Sequence, residues 1–211
     1  LIINNNKNRL NLVDIGAAND IQPRWLNVKE HIVTTLFEPD KSSYEKLKET
    51  NESMVYNIGL YEKNCKLNLY STKLITNSSL FKPNTDLIKR FYNPGRFEIT
   101  NEIKTQLSTI DDTLDQNSNF DFIKLDVQGA ELSILKGSTK TSNKIIGIEI
   151  EIEFKEIYKS QPLYNDVNNY LKEHNFELID FTNIYRWEKD LQRNFGTIMF
   201  CDALYLKDQE Y

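Results

Sequence analysis

The sequence predicts an α/β fold, a doubly wound, mostly parallel seven-stranded sheet with an antiparallel edge. Two observations carry that expectation. Apolar, β-branched runs alternate with helix-patterned segments along most of the chain, and the last two such runs follow one another with no helix-length segment between them. A third observation points to the working edge. The run Phe120–Val127 reads as a buried strand that ends on a carboxylate, Asp126, where open α/β sheets bind ligands beyond their strand ends.

The elements follow in order. Leu10–Ile15 is a short apolar strand that ends in Asp14-Ile15-Gly16. Ile32–Phe37 is a second β-branched run, closed by Glu38-Pro39-Asp40. Lys41–Thr50 reads as a helix with Tyr44 and Leu47 on its inner face. Met54–Leu60 is a third strand, and Lys66–Tyr70 alternates like the arm of a small hairpin insertion. From Ser71 to Asn101 the pattern dissolves into Asn, Ser, Pro and Lys, a long loop of the kind that carries function. Thr105–Leu114 is a strand leading into a turn. After Val127, Gly129 opens an amphipathic helix that Lys136-Gly137 closes. Lys144–Phe154 is the longest β run, with Ile146, Ile148, Ile150 and Ile152 alternating against Glu149, Glu151 and Glu153. Tyr164–His174 is a helix with Asn175 as a left-handed stop, and Phe176–Phe181 and Gly196–Leu206 are the terminal pair.

At 211 residues the chain fits a single domain over its whole length, with no internal repeat or linker. It begins at Leu1 rather than Met, as a piece of a longer protein would. A net charge of -5 supplies no basic field for nucleic acid. No apolar stretch reaches membrane-spanning length, and no signal peptide is legible. Cys65 and Cys201 stand far apart and outside any metal-spaced pair, which points to reduced thiols in a cytoplasmic compartment. His31 and His174 carry no pattern that suggests chemistry.

The turn after the first strand selects among cofactors. Val13-Asp14-Ile15-Gly16-Ala17 has one glycine where a dinucleotide fold needs three to admit a pyrophosphate, and no phosphate-loop lysine is present. What remains is a tight turn, an acidic residue on the first strand and Glu38 after the second, placed to accept both hydroxyls of a ribose. A ligand with adenosine but no phosphate fits, and S-adenosylmethionine is that ligand. Its two positive groups suit carboxylates such as Asp14. The simpler reading is that Asp14 and Glu38 only cap the turns that follow them.

These stretches resemble the FkbM family of S-adenosylmethionine-dependent methyltransferases, from about residue 10 to 206. Val13-Asp-Ile-Gly-Ala-Ala18 resembles the family's first motif, and Phe37-Glu-Pro-Asp40 its ribose-binding motif. Asn57-Ile-Gly-Leu60 is similar to its third-strand region, Asn77-Ser-Ser-Leu-Phe-Lys-Pro83 to its serine-rich loop, and Thr113-Leu-Asp115 to the Leu-Asp before the hallmark strand. Ile123-Lys-Leu-Asp-Val-Gln-Gly-Ala-Glu-Leu132 is the most specific piece. Ile150-Glu151 and Tyr158–Tyr164 are similar to a common branch. Two departures stand out: Ala17-Ala-Asn-Asp20 follows the first glycine, and Gln128 stands where many members have Glu. The resemblance implies a class I, Rossmann-like methyltransferase fold and O-methylation of a sugar or polyketide hydroxyl. It places Asp14, Gly16, Ala17, Glu38, Pro39, Asn57 and Asp126 at the cofactor, and Ser78 and Ser79 near the acceptor.

Methyl transfer to a hydroxyl requires alignment and a group that favours the oxyanion. Asp126, Glu131, Glu149 and Glu151 are the candidates. Asp126 and Glu151 are also the expected ligands if a hard ion such as Mg²⁺ assists. Lys124, inside the same strand, reads as support for the site, paired with Glu151 or Asp14. The Glu149–Glu153 ladder is otherwise a solvated face, and Glu131 otherwise a structural residue of a first helical turn. The long loop and the 158–164 segment offer ring-stacking and amide groups for a small-molecule or glycan acceptor: Phe81, Asn84, Phe91, Tyr92, Tyr158, Gln161 and Tyr164. Alternatives are an N-methyltransferase, a non-catalytic methyltransferase-like binding module and a nicotinamide oxidoreductase.

Overall fold

The structure is a computed structural model that describes residues 9–17, 23–50, 53–191, 193 and 195–208. Strand β1 (Leu10–Ile15) is followed by α1 (Pro23–Leu26), β2 (Ile32–Phe37), α2 (Lys41–Thr50), β3 (Met54–Tyr56), β4 (Gly59–Leu60) and β5 (Cys65–Thr72). Next come α3 (Thr85–Ile88), β6 (Ile99–Ser108), α4 (Ile110–Thr113), β7 (Phe122–Leu125), α5 (Glu131–Lys136) and α6 (Thr139–Ser142). β8 (Gly147–Glu153), α7 (Tyr164–Glu173), β9 (Phe176–Trp187) and β10 (Thr197–Lys207) follow.

Seven strands form one sheet in the order β3-β2-β1-β7-β8-β10-β9. All neighbours are parallel except β10, which runs antiparallel to β8 and β9. The terminal pair therefore makes the expected antiparallel edge, with β10 one place in and β9 outermost. Strand order reverses between β1 and β7, so the tips that carry Gly16 and Asp126 flank the switch point where such sheets open a crevice.

The two faces of the sheet differ in chemistry. One buries Val13, Ile15, Ile123, Leu125, Ile148, Ile150 and Ile152 against Leu132, Ile134 and Leu135 of α5 and Val167 and Leu171 of α7. Each such side chain contributes about 1.5–3 kcal/mol by leaving water. The other face carries Leu12 and Phe122 at its base, packed on Trp25 of α1, and then charged residues toward the strand tips. All seven residues of β8 are buried, so its glutamates do not form a solvated face.

Three expectations change in detail. The third strand divides: β3 stays in the large sheet, and β4 pairs with β6. The break falls at Asn57, whose amide Nδ2 donates to the carbonyls of Glu38 and Pro39 and turns the chain away. The hairpin arm is one strand of a three-stranded sheet, β4-β6-β5. Its β6 begins at Ile99 rather than Thr105, in a stretch so exposed that no apolar alternation marks it. The long loop is also packed. Its Ile88 and Phe97 join Ile157, Tyr158, Trp187 and Met199 in a second apolar cluster. Among the described residues no helix is long and apolar enough to cross a membrane.

Candidate active site

Two rows of charged residues cross the polar face of the sheet. Register places Asp14 beside Lys124 and Lys124 beside Glu149. One step nearer the strand tips lie Asp126, then Glu151 beside Asp202, then Asn183. Lys124 Nζ sits 3.1 Å from Asp14 Oδ1 and 3.6 Å from Asp126 Oδ2. Burial alone would lower the lysine pKa, but the charges of Asp14 and Asp126 outweigh it and hold it above the usual value. Lys124 is thus a fixed cation and support for the site, as its position in a buried strand suggests.

α1 clamps the far end of these rows. Arg24 reaches Glu149 Oε1 at 3.1 Å and Asp202 Oδ2 at 3.2 Å, and Trp25 Nε1 donates to Glu149 Oε2 at 3.0 Å. Glu149 is therefore engaged away from the crevice. Burial pushes its pKa up to about 7, with Arg24 opposing.

The segment after β7 aims Asp126. Gln128 (φ 59°) and Gly129 (φ 105°) take successive left-handed conformations. Glu131 holds that turn: its Oε1 accepts from Val127 N at 2.8 Å and its Oε2 from Gly129 N at 2.9 Å. Both oxygens of Glu131, expected among the catalytic carboxylates, accept from the backbone of the turn that aims Asp126. Gln128 is the residue that sequence reasoning passed over. Its Nε2 donates to Asp126 Oδ1 at 3.0 Å and to Glu151 Oε1 at 2.7 Å, and its Oε1 lies 2.8 Å from the Tyr158 hydroxyl. The amide bridges the two carboxylates with a neutral donor where a glutamate would add a third negative charge. Burial, then Asp126 and Glu153, raise the Glu151 pKa well above the usual carboxyl value. Ser79 Oγ donates to Gln128 O at 2.6 Å and ties the serine-rich loop to the same turn.

A cavity of about 1030 Å³ opens over these tips. Its volume lies at the top of the range for ligand pockets, enough for a cofactor and an acceptor together. At one end Gly16, Phe37, Glu38, Pro39 and Ile58 line it; Asp126, Gln128, Glu151 and Asp202 occupy the middle; Phe97, Tyr185, Trp187 and Phe200 wall the other end. Gly16 (φ 88°) is required: a Cβ there would lie 1.9 Å from the Asp126 carbonyl oxygen. Glu38 caps its turn through one oxygen, which accepts from Asp40 N at 2.7 Å, and burial raises its pKa to about 7. A diol donating two hydrogen bonds would favour its ionised form, so the residues present fit an adenosyl group.

Other predicted residues fall elsewhere. Asp14, fully buried, supports the floor through Lys124 rather than lining the cavity. Ala17 packs against Leu36 and Leu47, and Asn57 holds the Glu38 turn from outside; Ala18, Asn19 and Asp20 lie outside the described residues. Ser78 and Ser79 do line the cavity. Tyr158 is fully buried behind Gln128, and Gln161 accepts from Tyr158 N through its Oε1. Tyr164 stacks on Phe154 at 5.5 Å in the core. Asn84 caps α3, and Phe91 backs Trp187. The loop contributes Leu74–Leu80, Arg96 and Phe97 to the cavity instead. Among the described residues no three of His, Cys, Asp or Glu are grouped to hold a metal ion, so the Mg²⁺ expectation finds no support.

Residues 14–178 match the family described as Methyltransferase FkbM domain. No curated protein matches the chain. Among solved structures, the chain is similar to Streptococcus pneumoniae Sp1610, a candidate tRNA (m1A22) methyltransferase, at 11% identity and a TM-score of 0.48 over 97% of this chain and 67% of that one. It is similar to the StiE O-MT at 8% identity and a TM-score of 0.48, over 96% and 69% of the two chains. A S-adenosylmethionine-dependent methyltransferase from Clostridium acetobutylicum gives 10% and 0.42, over 93% and 83%.

Proposed function

The chain belongs to the FkbM family of S-adenosylmethionine-dependent methyltransferases, and from that premise we propose that it methylates a hydroxyl of a sugar, glycan or related metabolite. The observation that carries this reading is the Asp126–Gln128–Glu151 bridge at the centre of the cavity. When bound, S-adenosylmethionine supplies a methyl group on a positively charged sulfur. Glu38 would hold the ribose hydroxyls, and the Gly16 turn would let the adenosyl group approach the strand tips.

Asp126 would accept the hydroxyl proton as the methyl carbon exchanges its bond to sulfur for one to the acceptor oxygen, with S-adenosylhomocysteine as the leaving group. Lys124 behind it and the Gln128 amide beside it fix the direction of its carboxylate. Burial raises the Glu151 pKa and so disfavours a second negative charge beside Asp126. A net charge of -5 supports a small-molecule or glycan acceptor over nucleic acid.

The test measures S-adenosylhomocysteine affinity by calorimetry and its release during turnover with hydroxylated acceptors. Asp126→Asn is expected to cut turnover by roughly 10²–10⁴-fold, the usual reach of a positioned base, and Glu151→Gln to change it far less. Wild-type turnover in Asp126→Asn would remove it as the base; failure of the wild type to bind S-adenosylhomocysteine would remove the whole proposal.

A further inference from the structure

The wall of the cavity opposite Glu38 has a chemistry that hydroxyl methylation alone does not require. Trp187, Phe97 and Phe200 meet there at ring separations of 5.5 and 6.5 Å around Trp187, and Tyr185 stacks on Phe200 at 4.4 Å. Into this wall is set Arg96, whose guanidinium lies 4.5 Å from the Trp187 ring and 5.2 Å from Phe97. Among the described residues its guanidinium donates one hydrogen bond, from Nη1 to the Tyr92 carbonyl at 3.1 Å, and forms no ion pair. Its backbone is fixed, because the Arg96 carbonyl accepts from Leu74 N at 3.1 Å. A half-buried guanidinium held by rings and one carbonyl keeps several donors unspent. Burial lowers its pKa, which marks a cation whose environment lacks a compensating charge.

We infer that Arg96, with the Trp187–Phe200 wall, forms an acceptor subsite for an anionic group, so that the substrate is a hydroxylated ring bearing a carboxylate or a phosphate. The inference rests on the methyltransferase reading and narrows its acceptor. Geometry links the subsite to the reacting centre. Tyr185 Oη approaches Asp202 Oδ2 at 3.5 Å, and Trp187 lies two residues farther along β9, about 7 Å at the usual strand rise. An acceptor spanning the trench would rest a ring on the aromatic wall, present its hydroxyl toward Asp126 and place its charge on Arg96. The same arrangement disfavours the reversed pose, since the anion would then face Asp126, Glu151 and Asp202. Arg rather than Lys suits this place because its planar fork stacks on indole and still offers paired donors to an oxyanion.

The test titrates three probes into the protein saturated with S-adenosylhomocysteine: methyl glucoside, glucuronate and glucose 1-phosphate. We expect the better of the two anions to bind at least about tenfold more tightly than the neutral sugar, equivalent to about 1.4 kcal/mol. The preference should weaken with added salt. The glucuronate and phosphate arms tell which oxyanion is taken. Arg96→Gln should erase the preference and Arg96→Lys should retain part of it, both with unchanged S-adenosylhomocysteine affinity. That affinity also shows that the variants fold, and it reports separately on the methyltransferase reading. Equal binding of the three probes, binding of none, or a preference that survives Arg96→Gln overturns the subsite.

Discussion

The centre of the sheet and its β9–β10 margin build opposite kinds of surface into one cavity. At the centre, charges are arranged by strand register: Asp14, Lys124 and Glu149 stand side by side, Lys124 pairs with Asp14 across neighbouring strands, and Arg24 of α1 holds Glu149. At the margin the surface is aromatic and cationic. It is assembled from Phe97, Trp187 and Phe200, which lie on three separate segments. The difference teaches that one end of the site is a property of βα units and the other a property of long-range packing. Substitutions should therefore separate the two ends.

The largest effect is expected at the centre. Lys124→Met removes a buried ion-pair partner of Asp14 and should cost about 3–5 kcal/mol, read as a drop in the urea midpoint. A loss under about 1 kcal/mol would mean that the row does not depend on its cation. Next comes pH. Glu38, Glu131 and Glu149 have folded-state pKa values raised to about 7 by burial, so the native protein binds protons more tightly than the unfolded chain. Their contribution is complete below the unfolded value near 4.5 and is lost as pH rises through about 7. Ligand-free protein should accordingly be less stable at about pH 8 than at about pH 5 by chemical denaturation. A flat or rising profile would contradict the buried row.

The smallest effects are the most selective. Asn57→Ala deletes two hydrogen bonds to the Glu38-Pro39 turn, worth roughly 0.5–1.5 kcal/mol each. It should weaken S-adenosylhomocysteine binding and leave acceptor KM alone. Phe91→Leu removes an edge-on contact with Trp187, worth about 0.5–1.5 kcal/mol, and should do the reverse. If both variants shift both constants equally, the two ends of the cavity are not independent.

Much of the fold was legible because its signals are local. β1, β2 and α2 have the expected boundaries, since each is a short apolar or amphipathic run bounded by turn residues. β6 and the packed 71–101 segment were not legible, because exposed strands and irregularly spaced core residues leave no periodicity. Of the expected site residues, Gly16, Glu38, Asp126 and Glu151 line the cavity. Glu131 and Tyr164 did not follow: a carboxylate near a strand tip and an aromatic near a loop read alike whether they face the cavity or the backbone. Asp202 and Arg96 sit in segments without a motif, and Gln128 stands out in the sequence only as a departure from the family's Glu, whereas its amide joins Asp126 to Glu151.

By itself, the sequence determined which segments become buried strands, where a tight glycine turn falls and which carboxylate ends the hallmark strand. Those features depend on residues within a few positions of one another. Only the tertiary structure decided that Arg24 holds Glu149 and Asp202 and that Arg96 meets Trp187. These pairings join residues up to 178 positions apart. They exist because strand order and register bring distant side chains onto one face, and no local pattern encodes that meeting.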